Sequence, residues 1–490
     1  MFYWGGLTMT KEDKKSYIYA IIGIVLMFSG WFIPPIAPIT EVGMQLVGIF
    51  LGLVWLWSTS GMLWPSLLGI AALILSDYGT MTSVLAASIG NYNVIVAILM
   101  MGVFGVIEQY GVNDYIVRWI LTRKVINGRP WIFTFIYLFA AFLLATLCNG
   151  FATLFLFWSL TYKLATDLGY KKGDSYISLL LFGIAVFVSL SAPILPFKAW
   201  ILQIAGIWQS MSGAVPFTYV QHLAVVLPVV MVIMVCYILM MRFVFKADVS
   251  NLANISTDYF DATPLPPMNG LQKFLLISIP TFIGALFLPS VLPKTWAITV
   301  ALNKLGIPGI AFIMFVIFCI VRYEGKPIVN MKYLAGEKIA WDLPVLLACV
   351  MAVSSALTAD VTGVKPFLSG VLNPIFGGMS PFVLYVIIMV VCVILTNIAN
   401  NGVIALLLLS ITFITISGME PISNIGVFVT MLAFMSQVAF LIPGSSLWGA
   451  LLHGNDWLEA KFIYKLAVAV AVLSTVIFIV VGWPMSLLVY

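Results

Sequence analysis

Apolar stretches long enough to cross a membrane follow one another along almost the whole chain. Charged residues make up only 8% of the sequence and hydrophobic residues 62%, whereas an ordinary soluble domain carries roughly 25% charged residues. No soluble core hides so much apolar surface, so the solvent around this chain must be lipid. A spanning helix needs about 20 mostly apolar residues. We therefore predict an all-α membrane protein with about eleven transmembrane helices, near residues 17–34, 43–58, 61–76, 92–109, 176–212, 219–241, 272–292, 305–321, 340–359, 422–443 and 465–487.

Two further apolar segments, 131–167 and 381–418, are too long for one span. Each carries an Asn-Gly pair near its middle, and such a pair is a strong turn signal. We predict two hairpins that enter the membrane and return to the same side. Re-entrant backbone of this kind is tolerated only where protein or a water-filled cavity surrounds it. The two pairs are Asn149-Gly150 and Asn401-Gly402.

The two Asn-Gly pairs belong to a longer internal repeat. They lie 252 positions apart, and the same offset relates Glu-x-x-Gly-Val at 108–112 to Asp-x-x-Gly-Val at 360–364. A duplicated membrane unit that is broken at one polar spot in each copy is typical of secondary transporters. The repeat divides the chain into N-terminal scaffold helices, a first copy, a linker and a second copy, at residues 1–84, 85–246, 247–270 and 271–490.

The distribution of basic residues predicts the topology. With the N-terminus in the cytoplasm, all but four of the 23 lysines and arginines fall on the cytoplasmic side, as the positive-inside rule expects. Eleven spans then put the C-terminus outside, and the repeat is inverted. Segment 112–130 has apolar and basic residues at helical spacing and is predicted to lie along the cytoplasmic surface. The four exceptions are Lys198, Lys294, Lys304 and Lys365.

A helix that breaks within the membrane exposes unpaired backbone groups with chemical preferences. N–H groups at the start of a half-helix attract anions, and carbonyls at the end of a half-helix can ligate a cation such as sodium. We predict breaks at 191–196, inside the long segment 176–212, and near 443–446. Together with the two hairpin tips, these breaks supply four helix ends that converge near the middle of the membrane.

The inverted repeat and the polar tips resemble the divalent anion/sodium symporters, a family within the ion transporter superfamily. The family's tip motif is Ser-Asn-Thr. At the first tip the matching tripeptide is Cys148-Asn149-Gly150. At the second tip it is either Ala399-Asn400-Asn401 or Asn400-Asn401-Gly402, and the constant offset of 252 favours the latter. The resemblance covers about residues 85–490. It implies sodium and carboxylate binding at the tips, a homodimer, and an elevator-like stroke of a transport domain against a scaffold.

These arguments select two overlapping sets of candidate residues. The candidates for substrate binding are Asn149, Gly150, Asn401, Gly402, Thr396, Lys198, Pro193 and Ser445. The candidates for sodium ligation are Cys148, Asn149, Asn400, Asn401, Ser189 and Gly444.

Several candidates have a purely structural alternative. An Asn-Gly pair can be a tight turn, because glycine allows positive φ. The hydroxyl of Thr396 and the amide of Asn397 can equally serve helix packing. Lys198 follows the first break and either neutralises an anionic substrate or stands where a coupling ion sits in relatives, unless it reaches the outer interface. Glu108 and Asp360, near span ends, indicate capping or interfacial solvation, with proton coupling as the alternative.

We predict a secondary transporter of a small organic anion of the di- or tricarboxylate class, coupled to sodium as a symporter. The alternatives are proton-coupled or exchange transport of another anion, and a sodium/proton antiporter of the same superfamily. An enzyme would need a clustered acid/base set or a sizeable extramembrane domain, and the sequence has neither. We expect a multi-pass protein of the cell membrane, in bacteria the cytoplasmic membrane, with no cofactor other than a sodium ion. Its expected partners are the anionic substrate, the bilayer and a second copy of the chain, but no nucleic acid.

Overall fold

The structure, a computed structural model, describes residues 10–123, 125, 127–211, 217–252, 265–376, 378–417 and 426–490. Parts of several predicted segments lie outside the described residues. These are residues 1–9 of the segment 1–84, positions 124 and 126 of the segment 112–130, the middle of the linker 247–270, the start of the span 422–443, and the last residue of both 176–212 and 381–418.

In the first half of the chain, every secondary-structure element of the described part is a helix or a helical turn. Its elements are α1 (Lys11–Ser29), α2 (Glu41–Thr59), α3 (Leu63–Leu75), α4 (Met81–Ala87), α5 (Tyr92–Gln109), α6 (Val112–Leu121), α7 (Pro130–Leu147), α8 (Gly150–Asp167), α9 (Ser175–Leu190), α10 (Ala199–Ser210), α11 (Tyr219–Leu239), a π-helical turn (Met240–Val244) and a 3-10 turn (Ser250–Leu252).

The second half adds one small antiparallel hairpin to its helices. Its elements are α12 (Gly270–Val291), α13 (Ala297–Ile320), β1 (Arg322–Tyr323), β2 (Lys326–Pro327), α14 (Met331–Tyr333), a π-helical turn (Leu334–Lys338), α15 (Asp342–Thr358), a 3-10 turn (Asp360–Thr362), α16 (Val364–Phe376), α17 (Pro381–Thr396), α18 (Asn401–Ser417), α19 (Gly426–Met435), α20 (Leu447–His453), α21 (Ala460–Ile477), a π-helical turn (Phe478–Gly482) and α22 (Trp483–Val489).

This architecture confirms the predicted class, an all-α membrane protein. Seven helices of the described residues are long and apolar enough to cross a membrane, or nine if each of two bent helix pairs counts as one span. The bent pairs are α14–α15 and α16–α17, which turn by 73° and 108°. The count of eleven spans and the orientation of the termini stay predictions.

The internal repeat is visible in the order of the helices, because α15–α21 repeats α5–α11. Gly111 and Gly363 adopt left-handed φ angles of 66° and 67° just before α6 and α16. Proline occupies the first position of both α7 and α17, at Pro130 and Pro381. The glycines are 252 positions apart but the prolines 251. The two copies therefore differ by one residue in length between these points.

The two copies hold each other through reciprocal contacts. Thr40, the N-cap of α2, donates its backbone N–H to the carbonyl of Thr362 at 3.0 Å. Gln272, at the start of α12, donates from Nε2 to the carbonyl of Tyr110 at 3.1 Å. Positions 110 and 362 are again 252 apart. In the same way α5 packs on α13, and α15 packs on α3. Exchange of equivalent contacts indicates a two-fold relation, in which α2 and α3 correspond to α12 and α13.

The break in the second broken helix begins earlier in the sequence than predicted. The expected span 422–443 is not helical to its end, because α19 ends at Met435 and residues 436–446 are non-helical before α20. Side-chain partners replace the helical hydrogen bonds here: Asn397 Oδ1 accepts from the N–H groups of Phe440 and Leu441, both at 3.0 Å. Neither glycine nor proline occurs between 436 and 442, so the sequence carried no local signal for this start.

We expect Gly363→Ala to destabilise the protein more than Gly111→Ala. Both positions have positive φ, which costs an L-residue about 1–2 kcal/mol. A Cβ on Gly363 would also collide with the carbonyl oxygen of Pro38, whereas a Cβ on Gly111 has Asp114 Oδ2 as its nearest atom at 3.7 Å. The melting temperatures of the two purified variants in detergent test this difference. Equal shifts would contradict the proposed close packing of Gly363.

Candidate functional site

The first hairpin tip presents N–H donors at the start of α8. Asn149 is the N-cap of this helix, and its Oδ1 accepts from the backbone N–H groups of Phe151 at 2.9 Å and Ala152 at 3.2 Å. Among the described residues, neither Asn149 Nδ2 nor the N–H of Gly150 makes a hydrogen bond. Asn149 is exposed and Gly150 half-buried. Free donors at the positive end of a helix dipole are suited to an anion.

Asn400 holds the second tip in the same way. Its Oδ1 accepts from the N–H groups of Gly402 at 3.0 Å and Val403 at 3.3 Å. The equivalent of Asn149 is therefore Asn400, at an offset of 251. The capping pattern selects Ala399-Asn400-Asn401 as the second tripeptide, and not the triplet that a constant offset favoured. Asn401 stands in the place of Gly150.

A tryptophan from the opposite copy lies against each tip. At the first tip, the ring of Phe151 stacks on Trp448 in α20 with 4.7 Å between centroids. At the second tip, Gly402 faces the ring of Trp200 in α10. Each tryptophan is the second residue of its half-helix. The two tips and the two broken helices are thus crossed: each hairpin contacts the broken helix of the other half.

Hydrogen bonds also join the two breaks and fasten the second tip. Ser189, at the end of α9, donates to the backbone carbonyl of Gln437 at 3.0 Å and to its side-chain oxygen at 3.2 Å. Thr396 donates to the carbonyl of Ser436 at 3.0 Å. Asn401 donates its backbone N–H to the carbonyl of Ser445 at 2.9 Å. The second tip is therefore bonded to the second break at both ends of residues 436–446.

Lys198 joins the first tip to the first break. It is the N-cap of α10, and its ammonium group donates to the carbonyl of Ala145 at 2.5 Å and to the carbonyl of Cys148. Both carbonyls are at the end of α7, where helical carbonyls lack an intrahelical partner. Lys198 is half-buried. The structure thus places it against a hairpin tip and not at a distant interface.

A buried histidine fixes the backbone of the first break. His222, in α11, is fully buried, and its Nε2 lies 2.6 Å from the carbonyl of Pro193. A carbonyl only accepts, so Nε2 carries the proton. Its Nδ1 contacts the hydroxyl of Thr430 at 3.1 Å, which in turn contacts the hydroxyl of Tyr490 at 2.6 Å. Pro193, a predicted substrate residue, therefore has its carbonyl occupied by protein.

A small cavity of about 10 Å³, with room for about one water molecule, lies beside the second tip. Asn400 and Gly402 line one wall, and the side chain of Gln203 from α10 joins them. The remaining wall is apolar and comes from α2, α15 and the residue before α3. Its residues are Trp57, Met62, Leu346 and Val350.

Three other residues that the sequence singled out have surroundings that differ from those of the tips' free donors. The thiol of Cys148 donates to Asn113 Oδ1 at 3.0 Å. Gly444 is exposed and has nothing near a hypothetical Cβ. Glu108 forms an ion pair with Lys338 at 2.7 Å, so its partner is a basic residue of the second half. Among the described residues, no group of three or more His, Cys, Asp and Glu side chains is placed to hold a metal.

Sequence reasoning missed the two tryptophans and Gln203. A signal for the tryptophans exists, because Lys198-Ala199-Trp200 and Ser446-Leu447-Trp448 share the spacing from N-cap to aromatic ring. The sequence offers no comparable signal for Gln203. Its nearness to Asn400 follows only from the crossing of α10 with the second hairpin.

The family comparison identifies a membrane transporter of the ion transporter superfamily, as the resemblance predicted. The chain belongs to the citrate transporter family CitMHS, whose family model matches residues 53–439. No curated protein gives a match. A solved structure similar over 98% of this chain and 96% of its own is MtrF of Neisseria gonorrhoeae, described within a class of antimetabolite efflux pumps, with a TM-score of 0.55 and 13% identity. That identity shows the fold alone. The family match confirms a permease and not an enzyme.

We expect Asn400→Ala to lower the melting temperature and citrate uptake more than Asn401→Ala. Loss of an asparagine N-cap costs about 0.5–2 kcal/mol, whereas Asn401 bonds to the neighbouring break through its backbone N–H. Asn149→Ala should resemble Asn400→Ala. Purified variants are compared by thermal unfolding in detergent and by uptake into proteoliposomes. A larger loss at Asn401 would favour the register with the constant offset of 252.

Proposed function

We propose that this protein is a secondary transporter that carries a citrate-like tricarboxylate across the cell membrane. The observation that carries the proposal is the pair of asparagine-capped tips, facing two broken helices, in a chain that matches the citrate transporter family. Carboxylates suit the free N–H donors at the first tip. Dicarboxylates share this chemistry and remain the second substrate class.

The crossed tips support an elevator-type movement. Trp448 and Trp200 tie each hairpin to the broken helix of the other half, and Asn397 and Lys198 add hydrogen bonds within each half. Hairpins and broken helices linked in this way are expected to move as one transport body. The cavity beside Asn400 borders α2 and α15 on its apolar side. The cavity has room for about one water molecule in this conformation, so it would have to open before a substrate could be held between the moving body and the scaffold.

The driving force and the assembly state are inferred from the resemblance. It favours sodium-coupled symport, with proton coupling, anion exchange and sodium/proton antiport as alternatives. A homodimer is part of the same inference. Among the candidate spans, α13 is the least buried within the chain, so its apolar surface is available to lipid or to a second copy. We place the protein in the cytoplasmic membrane of a bacterium.

Counterflow into proteoliposomes tests the proposed substrate class. Vesicles loaded with unlabelled citrate should accumulate labelled citrate, and external tricarboxylates should compete better than dicarboxylates. The panel is run with sodium and with N-methyl-D-glucamine in its place. Empty liposomes and the Asn149→Ala variant are the controls. Absence of counterflow for every di- and tricarboxylate would overturn the proposal.

A further inference from the structure

The unpaired carbonyls at the two hairpin tips are bound by different groups of the protein. Each hairpin's first helix, α7 or α17, ends at its tip with unpaired carbonyls and the negative end of a helix dipole. A bound cation with oxygen ligands satisfies such an end in transporters with broken helices. In this protein both ends already have partners from the chain itself.

At the first tip the partner is a charged group. The ammonium of Lys198 binds the carbonyls of Ala145 and Cys148. It also belongs to the first break, because Lys198 is the N-cap of α10. No carboxylate in the described part of the chain pairs with it; the ion pair found there is that of Lys338 with Glu108. A cation held by carbonyl oxygens, without a protein counter-charge, has the environment of a bound alkali ion.

At the second tip the partner is neutral. Asn397 Nδ2 donates to the carbonyl of Val393 in α17 at 2.8 Å and to the carbonyl of Val438 in the break at 2.6 Å. The N-cap of α20, which corresponds to Lys198, is Ser446. Its hydroxyl accepts from the N–H of Gly449 at 3.0 Å and contacts the carbonyl of Ala439. The lysine is therefore a departure from the repeat and not a requirement of the fold.

We propose that the ammonium group of Lys198 is a tethered cation that replaces a bound sodium ion at the first hairpin tip. It fastens the tip to the broken helix and adds one positive charge beside the free donors of Asn149 and Gly150. Sodium has no role at this tip in the wild-type protein. The inference rests on the proposed transport function. It identifies the Lys198 ammonium as the cation at the tip in the first half of the chain.

The test is to exchange the tethered cation for a free one. Lys198→Ser installs the residue type of the second half and leaves the carbonyls of Ala145 and Cys148 unpaired. Sodium that binds the folded variant stabilises it by mass action. We expect sodium chloride, compared with N-methyl-D-glucamine chloride, to raise the melting temperature of purified Lys198→Ser and Lys198→Met by several degrees. The wild type and the control Lys304→Met, an exposed lysine, should show a clearly smaller shift, because sodium then has no site at the first tip.

Transport gives the second readout. At the same sodium concentration Lys198→Met should take up at least tenfold less citrate than the wild type, and more sodium should restore part of the uptake in Lys198→Ser. Lys198→Arg keeps the charge and should show the sodium dependence of the wild type. A sodium shift of equal size in the wild type, or no shift in either Lys198 variant, would overturn the inference. The thermal measurement needs no substrate, so failure of the citrate assay alone would count against the proposed function and not against the tethered cation.

Discussion

The fold depends on one constraint, which is that backbone hydrogen bonds must be satisfied by the protein where lipid excludes water. At the two hairpin tips and the two broken helices, backbone groups lose their hydrogen-bond partners within the helix. Side chains supply the missing partners: Asn149 and Asn400 cap the N–H ends, and Asn397 bridges the second tip and its break. An unsatisfied group would cost several kcal/mol in an apolar medium. The polar residues of the tips and breaks are therefore structural first, and we propose that the donors they leave unused form the binding site.

The two-fold relation between the halves separates structural features from functional ones. Capping asparagines, left-handed glycines and crossed tryptophans occur in both copies, as the same packing problem is solved twice. The copies differ where a side chain faces the carbonyl end of a tip. There, Lys198 in one half has the neutral Ser446 as its counterpart in the other. A duplicated fold has no structural need for this difference, so we attribute it to the task of the protein.

Sequence patterns predicted the membrane class, the repeat and the location of both tips, because long apolar runs and Asn-Gly pairs report local physics. They failed for features that depend on contacts between residues that are distant in the sequence. The early end of α19 depends on Asn397, which lies 43 positions before its partner Phe440. The register of the second tip depends on a single residue lost between Gly363 and Pro381, which an offset measured at the glycines cannot show. Lys198 was identified as unusual, but its carbonyl partners required the fold.

A tethered cation has a consequence for energy coupling. A free sodium ion is taken up on one side and released on the other, so its gradient drives the substrate. An ammonium held on the side chain of Lys198 moves with the protein and returns with it, so it raises affinity for an anion without contributing a gradient. By linkage, a group that stays bound in both states shifts no equilibrium between them. The driving force must then enter elsewhere. In the second half, the uncharged amide of Asn397 donates to the carbonyls of Val393 and Val438. A mobile coupling ion at that tip would have to compete with these hydrogen bonds.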